Sequence, residues 1–324
     1  LFLGAAALPT ALLFLLLWRL GVFERFWFWT VTYARDYAQL VPLRQAGRIF
    51  SGSISGVLAP SWPIWAFAAG GLVACVASKR ERQLALLLVG FLSSAAVAIS
   101  LGFYFRPHYF VLALPAVSLC VGAAIHCAET GRATLLKLAA FVLLAGSLAF
   151  AIVSDGSFFF RLDPISACRS AYPGNPFPET IAVAEFLRTR TSPDDSIAVL
   201  GSEPQIPFYA QRRSATGYVY TYALMEAQPH ARAMQAEMIR EIEAAQPRYL
   251  VFVGVPASWS VQARSPRLIF EWMNRYTAAG FRVSELVDVV PGLETKSYLP
   301  APPGIVPNSR DFIVIYERNS APAD

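Results

Sequence analysis

Five apolar stretches within the first 154 residues restrict this chain more than any other feature. They run over 1–18, 58–78, 84–102, 109–127 and 135–153. A helix needs about 20 apolar residues to cross the hydrocarbon core of a bilayer. Any one stretch alone is compatible with a buried helix of a soluble protein. Five in succession, joined mostly by short links, predict a multi-pass α-helical membrane domain over 1–154. The sequence opens on Leu1, already inside an apolar run, and reads as the C-terminal part of a longer protein. A signal peptide fits poorly, because no basic segment precedes that run and no small-residue cleavage site follows it.

Charge separates the two halves. Residues 1–154 hold 11 of the 27 basic residues and four of the 22 acidic ones, leaving 16 and 18 for the remainder. The first half is therefore +7 and the second −2, within a total of +5. The basic excess belongs to the segment expected to face lipid headgroups and is poor support for a nucleic-acid partner. The dense basic link Ser78-Lys79-Arg80-Glu81-Arg82 predicts a cytoplasmic loop. The 19–57 link, the 103–108 turn and the second half then fall on the outer side. The 19–57 link interleaves Phe26, Trp27, Phe28, Trp29, Tyr33 and Tyr37 with arginines, which suits a helix in the headgroup layer or an aromatic belt. Asp36, flanked by Arg35 and Tyr37, reads as half of a surface ion pair. Cys75, Cys120 and Cys127 lie in apolar stretches and Cys168 stands alone, so no disulfide framework is expected.

The most informative local pattern is Phe103-Tyr104-Phe105-Arg106-Pro107-His108-Tyr109-Phe110, followed by Leu114-Pro115-Ala116. A guanidinium at a membrane boundary is well shaped to hold a phosphate through two parallel N–H bonds. Plain snorkelling at the interface explains the same residues without a ligand. Pro115 is positioned to kink the following helix.

The second half changes character. Residues 155–178 read as a linker rich in Pro, Ser, Phe and Gly. Helical patterns over 179–189, 204–211, 223–245 and 267–279 alternate with strand patterns over 196–201, 249–253, 281–290 and 311–317. That alternation predicts a layered α/β domain over 179–324 with a largely parallel sheet. The segment Gly201-Ser202-Glu203-Pro204 follows a strand but lacks a phosphate-loop or dinucleotide pattern. His230 is the only histidine of this half, which leaves no obvious Ser/His/Asp triad, and no zinc spacing is present. A packed accessory domain is the simple expectation. The sharper one is that Glu203, Arg212, Arg213 and Tyr218 form an acceptor-binding face.

The run Arg106-Pro107-His108-Tyr109-Phe110 with Leu114-Pro115-Ala116 resembles a late outer loop of GT-C membrane glycosyltransferases. More narrowly, it is similar to bacterial family 39, the protein-mannosyltransferase-like and aminoarabinose-transferase-like group. The resemblance covers 1–154 best and the remainder more loosely. It implies a bacterial inner-membrane enzyme with an extracytoplasmic C-terminal domain. It further implies a polyprenyl-phosphate sugar donor bound by Arg106, with His108 and Tyr109 assisting, and a glycan, lipid or protein acceptor. No cofactor is implied, and a divalent metal requirement stays open. The family's catalytic acid lies in an early outer loop, and none of Glu24, Asp36, Glu81 or Glu129 matches its context. The competing expectations are a transporter or lipid flippase with a docking domain, and a membrane-anchored binding module. Uncharged helix centres weigh against a transporter, whose polar groups gather at mid-membrane.

Overall fold

The structure, a computed structural model, describes residues 2–131, 133–289, 296–298, 301–302 and 304–319. The chain divides into two compact units, 1–161 and 162–324. They are built on opposite rules.

The first unit is helical. Four helical stretches are long and apolar enough to cross a membrane: Leu43–Ala77, Lys79–Phe103, Pro107–Thr130 and Thr134–Ser154. The first expected span is helical over Phe2–Arg19, but its apolar part is shorter than these four. Small residues form the closest contacts. A methyl group on Gly71 would lie 2.1 Å from the Cys120 carbonyl oxygen and 2.7 Å from the Ala124 nitrogen. The helices Trp62–Ala77 and Leu114–Thr130 can approach this closely only because Gly71 lacks a side chain. Large aliphatic residues such as Leu86, Val97, Leu135 and Leu138 point outward. The link between the first two expected spans is almost wholly helical. It contains a π-helical turn over Phe28–Thr32 and an amphipathic helix over Leu43–Leu58. At one end of the bundle His126 approaches Glu81 at 3.4 Å and Cys75 meets Cys127 at 3.6 Å. At the other end Trp62 packs edge-on against Phe150 at 6.1 Å, and a methyl on Gly102 would come within 3.3 Å of the Ala38 Cα.

The second unit is an α/β domain around a six-stranded sheet. The strands are β1 (Ser196–Leu200), β2 (Arg213–Ser214), β3 (Tyr249–Gly254), β4 (Phe281–Val289), β5 (Lys296–Tyr298) and β6 (Asp311–Arg318). Their order is β2-β1-β3-β6-β4-β5. The sheet is mixed, not largely parallel as expected. β1 pairs parallel with β2 and β3, while β6 runs antiparallel to both β3 and β4, and β5 antiparallel to β4. The four strands β1 to β4 therefore share one direction, as strand–helix alternation requires. β6 breaks the pattern because it inserts antiparallel between β3 and β4, and the described residues between β4 and β6 contain no helix. Both faces are covered, so β1 and β3 are near-continuous buried apolar runs. Val183, Phe186 and Leu187 of the Glu179–Arg190 helix pack with Ile197, Val199, Val251 and Ile315 on one face. On the other, Phe252 meets Trp259, which in turn meets Phe270 of the Leu268–Gly280 helix. The expected linker holds two short helices, Gly156–Phe160 and Pro164–Ala171. The second starts where the Asp163 carboxylate accepts from the Ile165 and Ser166 amides, with Pro164 as its first residue.

Candidate functional site

The Arg106 loop has an unusual backbone. Gly102, Phe103 and Phe105 all have positive φ, at 74°, 57° and 42°. Phenylalanine rarely occupies this region, and each instance costs on the order of 1–2 kcal/mol. Burial holds the conformation in place: Phe105 and Phe110 sit in the core of the bundle, and Phe105 packs edge-on against Phe50 at 5.1 Å. Arg106 itself is extended, with ψ at 141°, as a residue before proline must be. Pro107–Ala113 then forms a 3-10 helix, and Pro115 lies in the first turn of the α-helix that follows. Pro115 therefore starts that helix and does not kink it, since the first turn has no use for a proline N–H.

The consequence is a cluster of one cation and three phenols. The Arg106 guanidinium carbon lies 5.4 Å from the centre of the Tyr104 ring, a cation–π distance. Tyr104 stacks on Tyr37 with centroids 4.5 Å apart and planes 10° apart. Tyr37 hydrogen-bonds with Tyr104 and Tyr109 and lies in the field of Arg106. Burial raises the Tyr37 phenol above its ordinary value, and the positive charge of Arg106 opposes that rise. His108 is exposed, with its ring edge-on to Tyr109 at 4.8 Å. Of the three residues expected at the donor phosphate, Arg106 and Tyr109 lie together around Tyr37 and His108 lies at the margin. Tyr104 stands inside the motif without an assigned role, and Tyr37 lies outside it. Their signal was present only as aromatic residues in two links at the same end of the bundle, Tyr37 on the short helix Tyr33–Ala38. Asp36 lies 3.5 Å from Arg35, the surface pair expected of it.

The second group of residues is not brought together. Connections leave β1 toward β2 and leave β3 toward β4, in opposite directions, so the carboxyl ends of β1 and β3 form the switch point where such sheets admit ligands. Glu203 lies there, but the crevice is filled by the chain itself. Ser258 Oγ donates to Glu203 Oε2 at 2.7 Å and accepts from the Ser202 amide at 2.9 Å. Ser202 Oγ and Thr221 Oγ1 are 3.0 Å apart, and Thr221 Oγ1 donates to the Ser258 carbonyl at 3.1 Å. A methyl on Gly201 would come within 2.3 Å of Glu203 Oε2. Glu203 is 1% exposed, and burial pushes its carboxyl up to about 7. Arg212 and Arg213 belong to the opposite end of the sheet, where Arg213 pairs with Ser196 at the start of β1. Arg212 is a clamp, donating to Thr191 Oγ1 at 2.7 Å and to the carbonyls of Thr191, Arg188, Ala210 and Gln211. Tyr218 is buried and donates to Glu237 at 2.6 Å. These four side chains do not share a face. Among the described residues no cluster of three or more His, Cys, Asp or Glu could hold a metal ion.

No protein-family model, no curated protein and no solved structure matches the chain. The functional reading therefore rests on the Arg106 cluster.

Proposed function

We propose that this chain belongs to a membrane glycosyltransferase that moves a sugar from a polyprenyl-phosphate donor to an acceptor at the outer face of a bacterial inner membrane. The observation that supports this reading is the Arg106–Tyr104–Tyr37–Tyr109 cluster, set on a strained loop at one end of an apolar bundle. In such a transfer an acceptor heteroatom bonds to the anomeric carbon as the bond to the donor phosphate oxygen breaks. The electron pair leaves on that oxygen. Negative charge grows on the phosphate, and a guanidinium already aimed at it lowers the barrier without reorganising. Phenol hydroxyls add donors, while the aromatic faces fix the arginine. The acceptor remains a glycan, a lipid or a protein, and the group that activates it is not assigned to this chain.

The test is a transfer assay with radiolabelled polyprenyl-phosphate sugars on the full-length protein. Arg106→Ala should lower turnover about 100-fold, the scale of losing one preorganised charged donor. Arg106→Lys should recover only part, because an ammonium cannot make the paired contact. Full activity in Arg106→Ala overturns the reading.

One observation favours a second reading, a lipid flippase. An apolar groove of about 630 Å³ runs between the helices Trp62–Ala77, Leu114–Thr130 and Thr134–Ser154, lined by Ala66, Gly70, Ala124 and Leu143. Lipid translocation in vesicles that is unaffected by Arg106→Ala would select it over the transferase.

A further inference from the structure

Five large apolar or aromatic side chains of the second unit are turned outward around one hollow. Ile165, Tyr172, Ile181, Phe208 and Tyr209 are all at least half exposed, Phe208 at 75%. The hollow, of about 390 Å³, is lined by Ile165, Phe177, Ile181 and Tyr209 among others, and no charged residue lines it. Tyr172 packs against Phe177 at 5.3 Å, and Phe208 against Tyr209 at 5.5 Å, so the surface is continuous. A contiguous apolar surface of this kind marks an interaction site.

We propose that this face docks on the lipid bilayer, with Phe208 and Tyr209 at the level of the headgroups. Three observations select lipid as the occupant. The chain leaves the apolar helix Thr134–Ser154 and reaches Ile165 eleven residues later. Full extension of such a link spans roughly 35–40 Å, and the intervening helical turn Gly156–Phe160 shortens it. The link itself carries Phe158, Phe159 and Phe160, all exposed, which continue the apolar surface of the preceding helix. The mixture of aromatic rings, two phenol hydroxyls and aliphatic side chains is the composition that settles at a membrane–water interface. The Glu179–Arg190 helix is graded accordingly. It begins beside Ile181 in the apolar face and ends with Arg188 and Arg190, both exposed, at the far end of the sheet. The proposal does not depend on the transferase reading, since any membrane-spanning chain with this link would present the same face.

The experiment uses the full chain in vesicles of phosphatidylethanolamine and phosphatidylglycerol, with the native cysteines replaced by alanine. Spin labels are placed at Phe208→Cys, Ile181→Cys and, as a control at the opposite strand end, Arg213→Cys. Collision with oxygen and with a water-soluble nickel chelate is then measured. At positions 208 and 181 the oxygen-to-nickel ratio should be several-fold higher than at 213. High access to both reagents places the face in water and overturns the proposal. Low access to both places it against protein and also overturns it. The unsubstituted chain supplies an independent arm that does not depend on folding without cysteines. A photoreactive phospholipid should form adducts within 203–211 and 162–172 as well as in the apolar helices, and adducts confined to those helices would overturn the proposal.

Discussion

The two units solve the same packing problem with opposite residues. In the first, Ala68, Cys75, Ala85, Ala95, Ala116 and Ala123 are inside with a few larger side chains such as Leu88 and Phe110, while most leucines and valines look outward. In the second, Val, Ile and Leu fill the interior of the sheet. The difference fits helices long and apolar enough to cross a membrane in the first unit and a sheet with an apolar interior in the second. Apolar side chains gain nothing by leaving lipid, so helices of such composition associate through close backbone approach, as at Gly71. In water the same side chains gain about 25 cal/mol per Å² of buried apolar surface, which drives them into the core. Exposure alone is therefore a misleading guide to importance, and the comparison can be broken at chosen positions.

The largest effect is expected at Gly71. Gly71→Ala puts a methyl against the backbone of the facing helix. It should separate the two helices and cost about 3 kcal/mol or more, or prevent folding. Gly70→Ala is the matched control, because nothing lies within 4 Å of a methyl there. Thermal unfolding of both variants in detergent measures the difference, and equal stability would refute the close-approach account. Next comes a pair of leucines. Leu250→Ala, at a fully buried site in the sheet, should cost about 2–5 kcal/mol. Leu138→Ala, 61% exposed in the first unit, should change stability by less than about 0.5 kcal/mol. A large loss at Leu138 would mean that this surface packs against protein.

Legibility in the sequence divided along the same line. β1, β3 and the centre of β6 were readable because each is a continuous apolar run, β4 was readable although Arg282, Glu285 and Asp288 interrupt it, and the helix before β3 was readable because Met234, Met238 and Ile242 repeat at helical spacing. β2, two residues long, has no pattern to read. The insertion of β6 between β3 and β4 is a pairing choice that periodicity does not encode. The Arg106 motif was visible, but not its backbone: nothing in two phenylalanines announces positive φ at Phe103 and Phe105. Nor does a local pattern reveal that Tyr37 stacks on Tyr104, since the helix Tyr33–Ala38 and the Arg106 loop are distant in sequence and meet only in the fold. Glu203 and Arg212 looked like neighbours in sequence, yet β1 and the helix after it carry them to opposite ends of the sheet.

Two carboxylates sharpen the contrast within the second unit. Glu203 is buried with hydroxyl and amide donors, and burial raises it from 4.5 to about 7. Below about pH 4.5 it is protonated whether folded or not, and stability is complete. Between 4.5 and 7 the unfolded chain ionises while the folded one keeps its proton, so stability falls, and the loss is complete above 7. Glu203→Gln should abolish this slope and leave the domain more stable at pH 8 by about 2–3 kcal/mol. Melting temperatures at pH 5 and pH 8 decide it, and an unchanged slope in the variant would remove Glu203 as its source.

Glu317 has the opposite sign and the smaller effect of the two. Burial pushes its carboxyl up, but hydrogen bonds from Arg282, Arg248 and Tyr249 outweigh burial and bring it from 4.5 down to about 2. Arg248 and Arg282 both donate at 2.8 Å, and the Tyr249 hydroxyl at 3.0 Å. Here the unfolded chain takes up a proton first, so the contribution is whole above about pH 4.5 and is lost as pH falls toward 2. The full shift overstates the gain, because the two arginine side chains remain 56% and 69% exposed and water screens them. Glu317→Gln should therefore cost about 1 kcal/mol at pH 7, less in high salt, and only a small fraction of that at pH 2. A cost that persists in full at pH 2 would mean that the carboxylate matters through packing at the start of β3 and β4, not through its charge.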